Sequence, residues 1–264
     1  MIRKMQDGPQ VVILCGGEGT RLREETEFKP KPLVLIGGRP ILWHIMKYYS
    51  HFGFKRFVLA LGYKGEMIKD YFLNYQALAN DFALNLRDGQ RRMLQPNATE
   101  DWEIVFADTG LKTQTGGRIK RVEKYIDGER FMATYGDGVG NVDIRSLLSF
   151  HLSHGKHATL TAVKPWSKYG KLQLEADNRV AHFIEKPMLD DLINGGFFVF
   201  NRPVFDYLTD DCVLEKEPFE AMVRGGQMVA YRHPGFWHCM DTFKDVLTLN
   251  SIWETSRAPW RVWD

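Results

Sequence analysis

The chain has little of what marks a secreted, fibrous or membrane protein. It holds three cysteines in 264 residues, Cys15, Cys212 and Cys239, widely spaced and without a CxxC pair. That number and spacing argue against a disulfide framework and against a structural zinc site. It has no apolar run of the roughly eighteen residues that a membrane helix needs, and its opening MIRKMQDGPQ lacks the apolar stretch of a signal peptide. A cytoplasmic protein with no membrane partner is expected. An excess of one charge is missing too: 35 Lys and Arg face 33 Asp and Glu, a net +2, which argues against a dedicated nucleic-acid binder. No internal repeat, linker or low-complexity tract interrupts the sequence. With 44% hydrophobic residues over this length, one sizeable core is affordable but two full domains are not.

The first third alternates strand and helix patterns. Val11 to Leu14 is a short apolar run that stops at Gly16-Gly17, as a buried strand feeding a loop would. Pro40 opens ILWHIMKYYSHFG, apolar at helical spacing, with Gly53 at its end. A second apolar run, Phe57 to Leu61, and an amphipathic helix over Lys64 to Tyr75 complete a βαβα order, which predicts a parallel sheet covered by helices. Residues 76 to 103 carry no clear period. Strands are expected over Glu103 to Ala107, Phe131 to Thr134, Ala158 to Val163, Leu172 to Leu174, Val180 to Ile184, Gly196 to Phe200 and Met228 to Tyr231. Helices are expected over Arg118 to Tyr125, Asp143 to His154, Arg202 to Leu208, Lys216 to Arg224 and Thr242 to Glu254. The expected fold class is α/β: a Rossmann-like, mixed but mostly parallel sheet flanked by helices, with a small added β-rich part. Residues 1–10 read as an extension, and 11–264 as a single domain.

The most informative stretch is Gly16-Gly17-Glu18-Gly19-Thr20-Arg21-Leu22, directly after the first strand. Three glycines in four positions let the backbone bend and offer its N–H groups to an anion, and Arg21 adds a fixed cation suited to phosphate oxygens. The dinucleotide pattern fails because Leu22 stands where its third glycine belongs, and no Gly-Lys-Ser/Thr of a Walker A loop occurs. Lys29-Pro30-Lys31-Pro32 follows. An extended chain between prolines would turn both ammonium groups to one side, where they could neutralise a pyrophosphate leaving group. A ligand-free glycine turn followed by a solvated basic turn remains the alternative.

Together these blocks resemble the signature of the sugar-1-phosphate nucleotidyltransferases. Within that family the glucose-1-phosphate cytidylyltransferases are similar along nearly the whole chain. The resemblance rests on GGEGTRL, on KPKPLVLIGGRPILWHIMKYYSHFG, on Thr115-Gly116-Gly117-Arg118 and on Tyr135-Gly136-Asp137-Gly138-Val139. Glu185-Lys186-Pro187, Asn194-Gly195-Gly196-Phe197-Phe198 and the closing Ala258-Pro259-Trp260 extend it. The resemblance implies transfer of CMP from CTP to a glucose 1-phosphate, with Mg²⁺ as cofactor and assembly into a homo-oligomer. It places the nucleotide in residues 11–140 and the sugar phosphate in 141–264.

By the same resemblance Asp137 and Asp241 hold the metal, and Lys31 and Arg21 act on the triphosphate. Gly16, Gly17, Gly19, Thr20, Thr115, Gly116, Gly117 and Arg118 line the nucleotide, the small residues letting backbone groups read the base edge. Glu185, Lys186, Asn194 and Gly195, with Tyr135 and Gly170 as weaker candidates, hold the sugar phosphate. Carboxylates suit Mg²⁺, which usually takes one or two of them from the protein. Read alone, Asp137 fits a turn residue, Asp241 a helix N-cap before Thr242, Arg118 a surface helix start, and Glu185-Lys186-Pro187 an ordinary strand end.

The sequence departs from the family pattern at Ser167-Lys168-Tyr169-Gly170-Lys171-Leu172, where a Phe-Gly-Ala-Leu type of turn is common, and at the acidic Asp190-Asp191. His151, His154 and His157 sit near a helix end, where cationic side chains are favoured without any metal. The seven tryptophans read as core or interface, those near the C-terminus as candidates for packing against another subunit.

Overall fold

A computed structural model describes residues 8–94, 99–167, 169–255 and 257–263. Most of the N-terminal extension and Lys168 therefore lie outside the described residues. In chain order the main elements are β1 (Val11–Cys15), α1 (Ile41–His51), β2 (Arg56–Leu61), α2 (Gly65–Leu73), β3 (Glu103–Asp108), α3 (Thr115–Val122), β4 (Arg130–Tyr135), β5 (Gly138–Gly140), α4 (Ile144–His154) and β6 (Ala158–Val163). Then follow β7 (Lys171–Leu174), β8 (Val180–Ile184), β9 (Ile193–Asn201), α5 (Glu217–Arg224), β10 (Met228–His233), β11 (Trp237–Cys239) and α6 (Phe243–Glu254).

Seven strands form one sheet in the order β10-β6-β9-β4-β1-β2-β3. β9 runs antiparallel to both its neighbours, and the other pairings are parallel. The chain winds outward from β1 through β2 to β3, then returns through α3 to lay β4 on the other side of β1. The sheet's switch point therefore lies between β1 and β4, the place where open α/β sheets bind ligands beyond their strand ends. Both halves of the chain contribute strands to this sheet. Its two faces are covered by separate apolar clusters, one built on Ile13, Leu59 and Met132, the other on Val12, Val58 and Ala133. The alternation of neighbouring residues between the clusters is the period-two geometry of a strand buried on both sides.

Asp143 caps α4 by accepting from Ser146 N, and Gly155 ends it in the left-handed region. The C-terminal aromatics belong to this chain's own core. Trp260 is fully buried, stacking near Trp253 and Phe236 and donating toward His44 Nδ1. Burial lowers the His44 pKa to about 4, so the ring stays neutral. The three histidines do not form a metal site: His151 and His154 both bond Thr159 Oγ1, and His157 faces the Tyr207 hydroxyl.

Several expectations are corrected. The segment 76–103 does hold structure, a short helix Tyr75–Ala79 and a small hairpin of Phe82–Leu84 with Arg91–Met93, largely exposed and so without a strong apolar period. Arg202–Tyr207 is a 3₁₀ helix. The helix expected from Arg118 begins at Thr115, and Gly116 and Gly117 form its first turn. Two glycines there disfavour a helix, but tertiary contacts hold them: Gly117 N donates to Cys212 O, and Leu214 N donates to Thr115 Oγ1. A Cβ on either glycine would clash with residues 210–212. Nor is the chain extended through the two lysines. Lys31–Leu33 is a 3₁₀ turn, closed by Leu33 N on Pro30 O. Lys29 turns away to pair with Glu25 at 2.8 Å, so the two ammonium groups part company.

Candidate active site

At the switch point the C-terminal ends of β1 and β4 open into a cleft of about 370 Å³. Gly16, Gly17, Gly19, Thr20 and Arg21 line one side, Thr115 and Arg118 another, and Lys31, Tyr135 and Asp137 its floor. The loop after β1 has its shape for two reasons. Gly19 sits at φ 63°, a left-handed conformation that costs a residue with a Cβ. Gly16 lies against Arg118, whose Nη1 would be 2.1 Å from a Cβ there.

Arg118 is only 4% exposed, and both terminal nitrogens of its guanidinium are engaged. Nη1 donates to Leu61 O, Thr109 Oγ1 and Gly110 O, and Nη2 to Gly16 O and Leu111 O. The surface-helix alternative is thereby excluded. The side chain staples the ends of β1, β2 and β3 together beneath the glycine loop.

The two aspartates meet because β11 pairs antiparallel with β5, Cys239 opposite Gly138, and Met240 N donates to Asp137 O at 2.8 Å. Asp241 is not the helix cap. Thr242 caps α6, in a capping box with Asp245, leaving the Asp241 carboxylate to pair with Lys31 and Arg21. Lys31 Nζ lies 2.5 Å from Asp137 Oδ2 and 2.9 Å from Asp241 Oδ1, and Arg21 Nη1 lies 2.9 Å from Asp241 Oδ2. Burial opposes ionisation of Asp241, but Lys31 and Arg21 outweigh it and hold the carboxyl below its ordinary value. Burial likewise opposes the charge on Lys31, and Asp137 overrides it to raise that pKa.

Among the described residues, Asp137, Cys239 and Asp241 form the group close enough to share a metal ion, their ligand atoms within 4.8 Å of one another. Two carboxylates suit a hard cation such as Mg²⁺. Burial pushes the Cys239 thiol well above its ordinary value, and a neutral thiol is a poor ligand for such an ion. The donor set therefore fits Mg²⁺ held by the two carboxylates, with the cleft side left for water and phosphate.

Farther along, Asn194 Nδ2 donates to the Tyr135 hydroxyl at 3.1 Å, and Tyr135 donates in turn to Glu215 Oε1. The other oxygen of Glu215 accepts from Thr115 Oγ1 at 2.8 Å. Burial first, then Glu215, raise the Tyr135 pKa and keep the phenol protonated. Gly195 O accepts from Trp237 Nε1 at 2.7 Å. The remaining sugar-side candidates stand apart. Glu185 and Lys186 are exposed, pair with each other at 2.8 Å and do not line the cleft. Gly170 packs against Phe183 of the exposed β7–β8 hairpin. Lys186 has φ 47°, an uncommon state for a residue with a side chain. Sequence reasoning missed Glu215 and Cys239. Cys239 lies two residues before Asp241, but Glu215 carries no motif and enters through tertiary contacts alone.

The glycine-rich loop, the paired carboxylates and the switch-point cleft define a nucleotidyl-transferring α/β enzyme. The nucleotidyl transferase family matches residues 10–258, and the chain belongs to that family. Within it the chain is 47% identical to the glucose-1-phosphate cytidylyltransferase of Salmonella typhi, over 97% of this chain and 100% of that one. It is 46% identical to a probable glucose-1-phosphate cytidylyltransferase of Bacillus subtilis, over 96% of this chain and 100% of that one. Among solved structures, HddC from Yersinia pseudotuberculosis superposes with a TM-score of 0.68 at 25% identity, covering 93% of this chain and all of the other.

Proposed function

We propose that the cleft transfers CMP from CTP to α-D-glucose 1-phosphate, giving CDP-glucose and pyrophosphate. The observation that carries the chemistry is the meeting of Asp137, Asp241, Lys31 and Arg21 beside the glycine loop. The near full-length identity to glucose-1-phosphate cytidylyltransferases supports the choice of base and sugar.

The sugar 1-phosphate oxygen is already anionic, so its attack needs no general base. It forms a bond to the α-phosphorus while the opposite bond, to the β-phosphate oxygen, breaks, and pyrophosphate leaves with the electron pair. The chain's task is to align these atoms and to neutralise charge. Asp137 and Asp241 would hold Mg²⁺, which would supply charge neutralisation at the reacting phosphates. The loop Gly16 to Thr20 offers backbone N–H groups to the triphosphate, and Arg21 and Lys31 add fixed positive charge. Thr115 bounds the base side, while Gly116 and Gly117 pack behind it against residues 210–212 and do not line the cleft. Arg118 shapes that side by holding the loop carbonyls. Tyr135, Asn194 and Gly195 face the sugar; Glu185 and Lys186, exposed and outside the cleft in this structure, are assigned to the sugar phosphate by family resemblance alone.

Pyrophosphate release over CTP, UTP, ATP, GTP and dTTP, against several sugar 1-phosphates, tests the reading. Strong release with CTP and glucose 1-phosphate is expected. Faster release with another pair would overturn the specificity, and none with any pair would overturn the activity. A narrower prediction concerns Lys186. Losing a charged contact of about 1.5–3 kcal/mol, Lys186→Ala should raise the KM for glucose 1-phosphate about ten- to a hundredfold and leave the KM for CTP in place. An unchanged sugar-phosphate KM would remove Lys186 from the site.

A further inference from the structure

The carboxylates proposed for the divalent cation already share a cation belonging to the protein. Lys31 Nζ bridges Asp137 Oδ2 and Asp241 Oδ1, and the side chain that carries it is only 10% exposed. Arg21 takes the other oxygen of Asp241 from the solvent side, with its own side chain 72% exposed. An ion held by the same two carboxylates would compete with Lys31 and Arg21, which already pair with three of their four oxygens. It would also stand within a few ångströms of the ammonium, where two positive charges repel strongly in a partly buried site. Lys31 lines the cleft, so a stronger anion arriving there would draw its ammonium off the carboxylates. A triphosphate is such an anion, and it brings ligands of its own to the metal.

We infer that Lys31 is an interlock: it holds Asp137 and Asp241 against a divalent cation until a nucleoside triphosphate takes its ammonium, so that cation and nucleotide bind as a pair. The inference rests on the proposed assignment of Asp137 and Asp241 as the metal ligands. The coupling is reciprocal, so the cation strengthens nucleotide binding by the factor that the nucleotide strengthens cation binding. One consequence is that the nucleotide-free site does not become a bare cationic pocket open to pyrophosphate or to sugar phosphate.

Mn²⁺ serves as the probe, because electron paramagnetic resonance separates its free and bound forms. Wild type, Lys31→Met and Lys31→Gln are titrated with Mn²⁺, with and without a CTP analogue that has a non-cleavable α,β-methylene link. Without nucleotide, Lys31→Met should bind Mn²⁺ at least about tenfold more tightly than wild type, the scale on which a neighbouring charge biases a carboxylate. The extra tightening on adding the analogue should shrink. Lys31→Gln keeps a polar head without charge and should behave alike. Should both variants fail to fold, Arg21→Ala loosens the same carboxylate pair from the exposed side and should give a smaller gain. No gain in the folded variants, with wild type binding Mn²⁺ in the presence of the analogue, overturns the interlock and leaves the metal assignment standing. A wild type that binds no Mn²⁺ even with the analogue, or an Asp137→Asn that binds it equally well, overturns the assignment and the interlock with it.

Discussion

Asp137→Asn should lower kcat on the order of 10³-fold or more while the protein stays folded. The amide keeps the shape of the carboxylate but offers one carbonyl oxygen and no charge, a weak donor for a hard cation. The fold gives no reason for collapse, since Asp137 is part-exposed at a strand end and Lys31 retains Asp241 as a partner. Asp241→Asn should behave in the same way, because Thr242 and Asp245, rather than Asp241, form the cap of α6. The kinetic signature is specific. Because the cation and the nucleotide strengthen each other's binding, a weakened metal site should raise the KM for CTP as kcat falls. Steady-state kinetics with Mg²⁺, beside a thermal unfolding curve, checks this. Full activity in either variant would take that aspartate out of the metal pair.

Arg118→Ala should cost stability before it costs binding. It removes a buried guanidinium that serves four backbone carbonyls and the Thr109 hydroxyl, of which Gly16 O and Leu61 O keep other donors. Breaking a buried charged network of this kind typically costs about 3–5 kcal/mol, which for a chain of this size means a Tm lower by roughly ten degrees. Lysine should rescue little. Its three donors radiate from one point, whereas the planar fork of arginine reaches acceptors from three strand ends at once. If Arg118 instead contacts nucleotide directly, the alanine variant will melt normally and show only a raised KM for CTP. Thermal unfolding and the KM, measured on the same preparation, decide between the two.

The strand-and-helix skeleton was legible because buried parallel strands read as apolar runs and their helices as 3.6-residue periods. β1, α1, β2 and α4 fall within a residue or two of expectation. The glycine loop after β1 was legible for another reason: three glycines in four positions mark a tight turn, and the structure requires a glycine at Gly16 and Gly19. Three features were hidden because only tertiary contact creates them. Thr115-Gly116-Gly117 looked like a loop until segment 210–214 was seen to hold it as a helical turn. Lys29 and Lys31 looked equivalent until the 3₁₀ turn at Lys31 sent them to different partners. Glu215 had no reason to be noticed, since Thr115 and Tyr135 are brought to it from other elements. The tryptophans near the C-terminus were ambiguous in the sequence, because burial against one's own core and against a neighbour leave the same composition.

The pairing of β5 with β11 also has a meaning in time. Asp241 is made 104 residues after Asp137, and the strand pairing that brings them together cannot form until β11 has left the ribosome. At about 5–20 residues per second, the nascent chain carries its glycine loop, Arg21, Lys31 and Asp137 for several seconds before the second carboxylate exists. Throughout that interval a growing chain can present the glycine loop but cannot assemble the carboxylate pair, so the complete cleft arrives in one step rather than by degrees.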